Sequence, residues 1–344
     1  HKKVESRTSD LERRSSQRWL CSEDFLPSAI APTPGRLDDF IYFQVRDISS
    51  EGLQLTCSLR NKFLVPGMKL TLSMVLPMGQ SAALTIIVMR VSIRSFSGRD
   101  RLIVGSKFTN LTSVAKSVIG QYLVQFGDLD SLDELRSAGF VPKKASLGVD
   151  FYNLKTEEDY RGVLDLRHLA HSADDNLREG ALPWDLADLN DAKARIIVGK
   201  FRGKIIATSR VRFPAIDEHT DLPWSKSLPR RDHVIEVSRV ATHPEFRRND
   251  VLAALFRYSY LSVVQSERPW VVISCLDGMV GFYGRLGFRE AGLRYLEPHW
   301  REDRVLNVMI ANVYEIIVGK DVAPVYWYSV WRDLSDQYAS QKLI

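Results

Sequence analysis

The chain has few cysteines and no long apolar stretch. Its 344 residues contain three cysteines, Cys21, Cys57 and Cys275, which lie far apart. So sparse and odd a set argues against a disulfide framework and against a zinc site, and we expect a reducing, cytoplasmic environment and no bound metal. Because no run of 18 apolar residues occurs, we also expect no membrane-spanning helix.

The chain also lacks a large excess of charge of one sign. Lysine and arginine number 47, aspartate and glutamate number 42, and the net charge is +5. This balance suits an anionic ligand or an acidic partner protein, whereas a nucleic acid polymer would require a dense basic stripe, which the chain does not have. At this length the chain can form two domains, each with its own core.

The first part of the chain predicts a small β-barrel. Residues 1–40 are polar and are interpreted as an arm. From Phe40 to Phe108, short apolar strands alternate with turns, which is typical of a small antiparallel barrel. One strand has its apolar residues on a single face, at Leu70, Leu72, Met74 and Leu76. A helix packed on the barrel is predicted from the recurrence of Val114, Val118, Tyr122 and Phe126.

The second part has a different pattern. Residues 129–148 are interpreted as a linker between a domain at 1–128 and a domain at 149–344. From Val149 onward strands alternate with helices, which predicts an α/β layer fold. Helices are expected at 157–173 and 251–265, with a short third helix that ends at Gly287. Strands are expected at 149–153, 194–199, 205–213, 234–241 and 270–275, followed by a β region to about Val318.

Two short strings stand out in the first part, RSSQR at residues 14–18 and DISSEG at residues 47–52. Their order, their spacing and their place in a barrel-like pattern resemble the PilZ domain, a receptor for cyclic di-GMP. The string GSKF at residues 105–108 resembles a further PilZ string. The resemblance covers about residues 10–128, and it implies cyclic di-GMP as a regulatory ligand.

The residue types suit this ligand. An arginine fork pairs with phosphate oxygens, and its plane stacks on a purine. A carboxylate accepts hydrogen bonds from guanine, a hydroxyl adds a further contact, and a glycine lets the backbone approach closely. The predicted binding residues are Arg13, Arg14, Arg18, Asp47, Ser49 and Gly52.

The string FYGRLGF at residues 282–288 is the most specific feature of the second part. It resembles the FYxxxGF signature of GNAT-fold acyltransferases, in which a short helix stops at a glycine and a strand follows. Upstream, EVSR at residues 236–239 is similar to a string of acyl-homoserine-lactone synthases and of the related long-chain N-acyl amino acid synthases. The resemblance covers about residues 149–318 and is best to the N-acyl amino acid synthases.

The chain departs from the GNAT pattern at the loop that holds coenzyme A. Backbone N–H groups of a glycine-rich loop normally bind the pyrophosphate there. Here Asp250 and Leu252 replace the glycines, and Asp250 is expected to cap the following helix and to repel a diphosphate. The resemblance therefore favours acyl carrier protein, with its phosphopantetheine thioester, as the acyl donor. Arg247 and Arg248 are predicted to dock it, on a basic face with Arg230, Arg231 and Arg257.

The predicted reaction is attack of an amino acid amine on a long-chain thioester, without a covalently bound cofactor. Glu236 is the candidate general base, and Tyr283 is the candidate acid that protonates the thiolate. Either Arg239 or Arg210 is expected to bind the amino acid carboxylate, and Arg239 could instead support Glu236. Glu236→Gln is expected to abolish product without unfolding the protein. Glu236 and Arg239 are three residues apart, which predicts a bulge between them. The predicted substrate-binding residues are Arg167, Trp184, Asp188, Asp191, Arg210 and Ser238, and possible walls of an acyl channel are Phe213, Leu255, Tyr258, Phe282 and Trp300.

Two alternatives stay open. One is an acetyltransferase that uses acetyl-coenzyme A. The other is a cyclic di-GMP receptor whose GNAT-like domain is inactive and binds a partner. Because the predicted product is an amphiphile, loose contact with a membrane also stays open.

Overall fold

A computed structural model of the protein describes residues 17–96, 98–220 and 222–340. The chain forms two compact units, the first up to Gly148 and the second from Val149. No helix within the described residues is both long and apolar enough to cross a membrane.

The first unit is an antiparallel barrel. Six of its strands close in the order β3-β2-β5-β6-β7-β4, since β4 pairs with β3, and β1 pairs with the outer side of β3. The predicted barrel is confirmed. The strands are β1 (Arg18–Leu20), β2 (Ser28–Pro32), β3 (Phe40–Ser49), β4 (Leu53–Cys57), β5 (Lys69–Val75), β6 (Ser81–Phe96) and β7 (Arg99–Asn110).

The alternating pattern of β5 forms part of the barrel core. Leu70, Leu72, Met74 and Leu76 are all at most 3% exposed, as predicted. Burial of one such side chain contributes about 1.5–3 kcal/mol. Helix α1 (Ser113–Phe126) follows the barrel, and Thr112 caps it by accepting a hydrogen bond from the N–H of Ala115. Tyr122 of the predicted face is buried, but Val114 is exposed, and Ile119 and Leu123 are buried in addition.

The predicted arm is wrong for the part of it that the structure describes. β2 lies between β3 and β5 inside the barrel, and β1 carries the buried Trp19. These strands are too short for their periodicity to be read from the sequence. Residues 129–148 also pack into the first unit: they contain helix α2 (Leu132–Ser137), and Phe140 packs edge-to-face on Trp19.

The second unit is a mixed seven-stranded sheet with helices. The strand order is β13-β14-β12-β11-β10-β9-β8, and β11–β12 is the parallel pair in an otherwise antiparallel sheet. This arrangement confirms the predicted GNAT-like α/β fold. The strands are β8 (Asp150–Asn153), β9 (Arg195–Phe201), β10 (Lys204–Arg212), β11 (Val234–Thr242), β12 (Trp270–Leu276), β13 (Arg289–Leu296) and β14 (Val305–Asn312).

The helices of this unit mostly have the predicted bounds. The first is capped by Thr156 and has three acidic residues in its first turn, which favours its start there. The end of the chain differs from the prediction, since residues 313–317 are helical rather than extended. The helices are α3 (Glu157–Ala173), α4 (Val251–Val264), α5 (Asp277–Arg285), α6 (Val313–Ile317), α7 (Pro324–Tyr326) and α8 (Arg332–Ser340).

Short helical turns complete both units. A π-helical segment, Trp327–Trp331, joins α7 to α8. The 3₁₀ turns are Glu23–Phe25, Leu59–Asn61, Pro77–Gly79, Ala145–Gly148, Pro183–Leu186, Leu189–Lys193, Arg231–His233 and Pro244–Phe246.

The parallel strands β11 and β12 separate along their length. They pair from Val234 with Trp270 to Glu236 with Val272, and the pairing stops there although both strands continue. The gap between their carboxyl ends opens the sheet from Val237 onward. This opening positions the site described next.

Candidate active site

Strand β11 bulges just beyond the point where it leaves β12. Arg210 on β10 pairs with Ser238, whereas Thr208 pairs with Ala241, so that Arg239 and Val240 both face Ser209. Arg239 has a φ of 53°, which is uncommon for a residue other than glycine. A bulge is present, but not at the predicted place between Glu236 and Arg239: the pairing is regular from Glu236 to Ser238, and the extra residue falls at Arg239–Val240. A bulge frees backbone groups from the sheet at this place.

A cavity of about 420 Å³ fills the gap between the separated strands. We call it the splay cavity. Its walls are residues 237–242 of β11, residues 273–276 of β12, and side chains of the flanking helices. Those side chains are Leu252, Phe256 and Tyr260 of α4 and Met279 and Tyr283 of α5. Among the five residues predicted as acyl-channel walls, Trp300 lines this cavity and the other four do not.

Tyr283, the predicted acid, lines the splay cavity. Its ring packs against Phe256, Phe282 and Phe288, and its hydroxyl makes no hydrogen bond with another described residue. Burial raises the pKa of Tyr283, so the hydroxyl keeps its proton at neutral pH. The predicted acid therefore lies in the cavity in the protonated form.

His171 lines the same cavity, and sequence reasoning missed it. It lies on α3, and its ring is 4.9 Å from that of Trp300 between centroids. Burial, and then the nearby charge of Arg239, lower the pKa of His171 to about 4. This imidazole is neutral at neutral pH.

A second cavity, of about 560 Å³, lies between the segments at residues 185–190 and 295–300. We call it the loop cavity. Asp185, Asp188 and Glu297 contribute carboxylates to its lining, and Arg239 is the arginine that lines it. Three residues line both cavities: Arg239, Glu297 and Trp300.

Arg210 is the centre of a buried network of charges. Its Nη1 lies 2.6 Å from Oδ2 of Asp188 and 3.3 Å from Oδ1 of Asp191, and its Nη2 lies 3.3 Å from Oε1 of Glu236. Its Nε donates to Oγ of Ser238 at 3.0 Å. Four of the predicted substrate-binding residues are thus joined in one network with the predicted base.

Arg167 joins the network through Asp191. Its Nη1 lies 2.8 Å from Oδ2 of Asp191, which also accepts a hydrogen bond from the hydroxyl of Tyr160 at 2.8 Å. Both members of this ion pair are buried. Trp184 does not join the network, because its side chain is 65% exposed on a 3₁₀ turn.

Glu236 is fully buried between two guanidinium groups. Oε1 lies 3.3 Å from Nη2 of Arg210, and Oε2 lies 3.3 Å from Nη1 of Arg212. Glu236 lines neither cavity. A carboxylate in this position would have to leave two ion pairs before it could take a proton from a substrate.

The loop before α4 differs in detail from the prediction. The helix begins at Val251 as predicted, but the Asp250 side chain makes no capping hydrogen bond. Oδ1 of Asn249 accepts from the N–H of Val251 at 3.0 Å instead. Of the two predicted docking arginines, Arg247 forms a bidentate pair with Asp174, at 2.6 Å and 3.0 Å, whereas Arg248 is exposed.

The wider basic face is also partly engaged. Arg230 pairs with Asp232, and Arg257 pairs with Asp333. Arg231 donates to the carbonyl of Glu218. Arg248 is therefore the most available cation for a docking partner among these five residues.

In the first unit, β1 brings one of the predicted ligand-binding arginines against β3. Nη1 of Arg18 lies 2.6 Å from Oδ1 of Asp47, and the Arg18 side chain is 28% exposed. The arginine is therefore held in place and still reaches solvent. Arg13 and Arg14 lie outside the described residues.

Ser49 and Gly52 shape the turn between β3 and β4. Ser49 is fully buried, and its Oγ accepts from the N–H of Gly52 at 3.2 Å. A Cβ on Gly52 would lie 1.9 Å from the carbonyl oxygen of Ser106 on β7. The DISSEG and GSKF strings therefore pack on each other at this point, and the glycine is required by that close approach.

A known protein family matches part of the second unit. Residues 177–306 match the family described as N-acyl amino acid synthase FeeM. No match was found among curated proteins.

Solved structures resemble each unit. FeeM, an N-acyl amino acid synthase from uncultured soil microbes, is 14% identical, with 52% of this chain and 97% of that chain covered and a TM-score of 0.43. ElaA of Escherichia coli is 16% identical, with 47% and 99% covered and a TM-score of 0.35. The PilZ domain of YcgR from Escherichia coli, solved with c-di-GMP, is 16% identical, with 30% and 82% covered and a TM-score of 0.26.

The matched residues 177–306 contain β9 to β13, the bulge at Arg239 and the loop cavity, together with most of the splay cavity. The splayed pair of parallel strands and the cavity between them belong to the GNAT-like fold described above. The chain is therefore an N-acyltransferase.

Proposed function

We propose that the chain is an N-acyl amino acid synthase that takes a long acyl group from acyl carrier protein and is controlled by cyclic di-GMP. The observation that carries the proposal is the meeting of two cavities at Arg239. One cavity suits a thioester and the other suits an amine, so a single transfer site can join them.

The splay cavity would hold the acyl thioester. Its lining is mainly apolar and includes Leu252 and Phe256 of α4 and Met279 of α5, which suits the acyl chain and the pantetheine arm. Backbone N–H groups at the bulge of Arg239 and Val240 would stabilise the oxyanion that develops on the thioester carbonyl. Tyr283 would give its proton to the departing thiolate.

The loop cavity would hold the amino acid. Its carboxylates, among them Asp188 and Glu297, suit an ammonium group. Arg239 is 17% exposed at its side chain and can also contact the acceptor's carboxylate, whereas Arg210 is 1% exposed and held by three carboxylates. Arg239 is thus the better candidate of the two for binding the amino acid.

The choice of donor rests on the loop before α4. Asp250 places a carboxylate next to the helix start where coenzyme A would place its pyrophosphate, and Leu252 lines the splay cavity. The Asp250 carboxylate would therefore repel the negatively charged pyrophosphate at this helix N-terminus. The pantetheine arm of acyl carrier protein carries a single phosphate, and the acidic carrier surface would meet Arg248.

A donor competition tests this part. The purified chain is incubated with mixed amino acids and either acyl carrier protein loaded with a C14–C18 chain or the matching acyl-coenzyme A. We expect N-acyl amino acids from the carrier-bound donor at a rate at least about tenfold higher, which corresponds to 1.4 kcal/mol. Tight binding of coenzyme A together with faster transfer from acetyl- or acyl-coenzyme A would contradict the proposed donor.

The regulatory part rests on Arg18 and Asp47. Arg18 is held 2.6 Å from Asp47. Its guanidinium would pair with phosphate oxygens of the ligand, and the neighbouring carboxylate would accept hydrogen bonds from guanine. Arg14→Ala combined with Arg18→Ala is expected to weaken cyclic di-GMP binding at least about 100-fold, as measured by titration calorimetry. The control is Arg36→Ala, which removes an exposed arginine of the same unit. Unchanged affinity in the double variant would refute the assigned site.

A further inference from the structure

The two cavities share a wall. The groups in this wall lie nearest to the point where the acyl group and the amine would meet. The acyl carbonyl and the attacking nitrogen must approach within bonding distance, although they enter from different sides. Side chains that line both cavities lie where the two substrates meet. These side chains are Arg239, Glu297 and Trp300, and Glu297 is the carboxylate among them.

The carboxylates near this wall differ in how strongly they are held. Glu236 contacts two guanidinium groups and lines neither cavity. Asp188 contacts Arg210 at 2.6 Å and Arg239 at 3.1 Å, and it accepts a hydrogen bond from the N–H of Asn190. It lines the loop cavity but not the splay cavity. Both carboxylates are therefore committed to structural contacts.

Glu297 is held more lightly. Its Oε2 lies 3.2 Å from Nη1 of Arg239, which is the one cation in contact with it among the described residues. The hydroxyl of Tyr295 lies 3.5 Å from Oε1 and also donates to Ser274 at 2.8 Å. One ion pair orients this carboxylate and leaves lone pairs for a substrate.

We infer that Glu297 is a catalytic residue of the acyl transfer, which receives the ammonium group of the acceptor and takes its proton. This inference rests on the proposed function. The ammonium gives one proton to Glu297, and the neutral nitrogen attacks the thioester carbonyl. The C–N bond forms and the C–S bond breaks. The second proton lost by nitrogen balances the one that the thiolate takes up, and Glu297 returns its proton to water.

The surroundings of Glu297 define the acceptor class. Tyr295 lies on β13, just before Glu297. Arg239 lies at the bulge of β11 and contacts both Glu297 and Asp188. This group of residues accepts a cation with at least one transferable proton. Primary amines such as amino acids qualify, whereas alcohols and quaternary ammonium compounds do not.

The test is Glu297→Gln, which keeps the size of the side chain and removes the base. Rates of N-acyl product formation are measured from pre-loaded acyl carrier protein at neutral pH, with an amino acid and with methoxyamine, a weakly basic amine whose nitrogen is already neutral there. We expect the rate constant for the amino acid to fall about 10²–10⁴-fold, the affinity for the carrier to stay unchanged, and the loss to be much smaller with methoxyamine, which has no proton to give to a base before attack. Glu302→Gln, an exposed glutamate in the same loop, is the matched control and is expected to behave as the wild type.

The outcomes separate the inference from the proposed function. A wild-type protein that makes no N-acyl amino acid refutes the proposed function itself. An active wild type with an equally active Glu297→Gln variant overturns the inference, and so does a variant that is slowed equally with both amines, because that result indicates positioning alone. If the glutamine variant does not fold, Glu297→Asp decides. It is expected to be slower with the amino acid than with methoxyamine, relative to wild type, and a wild-type rate would overturn the inference.

Discussion

In the second unit, Glu236 lies between two positively charged side chains. Its neighbours Arg210 and Arg212 are each at most 1% exposed, and Glu236 itself is 0% exposed. Burying these groups carries a large desolvation cost, which their mutual contacts offset only while the set is complete. We expect this network to fix the bulge and the orientation of Arg239, with Glu236 in a supporting position.

Replacing Glu236 with glutamine tests this role. Removal of the carboxylate charge leaves Arg210 and Arg212 facing each other, and we expect the free energy of unfolding to fall by about 3 kcal/mol. Urea denaturation followed by circular dichroism measures it. The original expectation, loss of product with no loss of stability, is thereby replaced. Glu179→Gln, at an exposed glutamate, is the control, and a difference below about 0.5 kcal/mol between the two variants would contradict the structural role.

Elements with a strong local signal could be predicted, and elements defined by distant contacts could not. Helix α3 has the predicted bounds because a threonine cap and three acidic residues mark its start. β1 and β2 were missed because strands of three and five residues carry too little periodicity. A bulge was predicted from two residues with unlike roles three positions apart, but its extra residue falls at Arg239–Val240. Glu297 was missed because its partner Arg239 lies on another strand, and no local string marks that contact.

Helix α5 must end at Gly287 for β13 to enter the sheet. Gly287 has a φ of 94°, and a Cβ there would lie 2.4 Å from Cγ2 of Ile316. We expect Gly287→Ala to destabilise the second unit by about 2–4 kcal/mol, through backbone strain and overpacking. The control is Gly284→Ala in the same helix, where nothing lies within 4 Å and stability is expected to hold or rise by up to about 1 kcal/mol. Equal melting temperatures for the two variants would contradict this account.

At the scale of the whole molecule, one chain carries a barrel with a PilZ-like pair of strings and a unit with a transfer site. The match to the N-acyl amino acid synthase family covers residues of the second unit alone. The proposed cyclic di-GMP site, at Arg18 and Asp47 of the barrel, would place control of the transfer in the same chain. We expect the ligand to change the rate of the transfer.

The central claim is that this chain joins long acyl groups to amino acids. The most direct test is a mass spectrum of the lipids from bacterial cells that express it, compared with cells that carry an empty vector and with cells that express Glu297→Gln. The account predicts ions of N-acyl amino acids in the first sample and their loss in the other two. If the wild-type protein is folded in those cells and no N-acyl amino acid exceeds the empty-vector level, the account is contradicted.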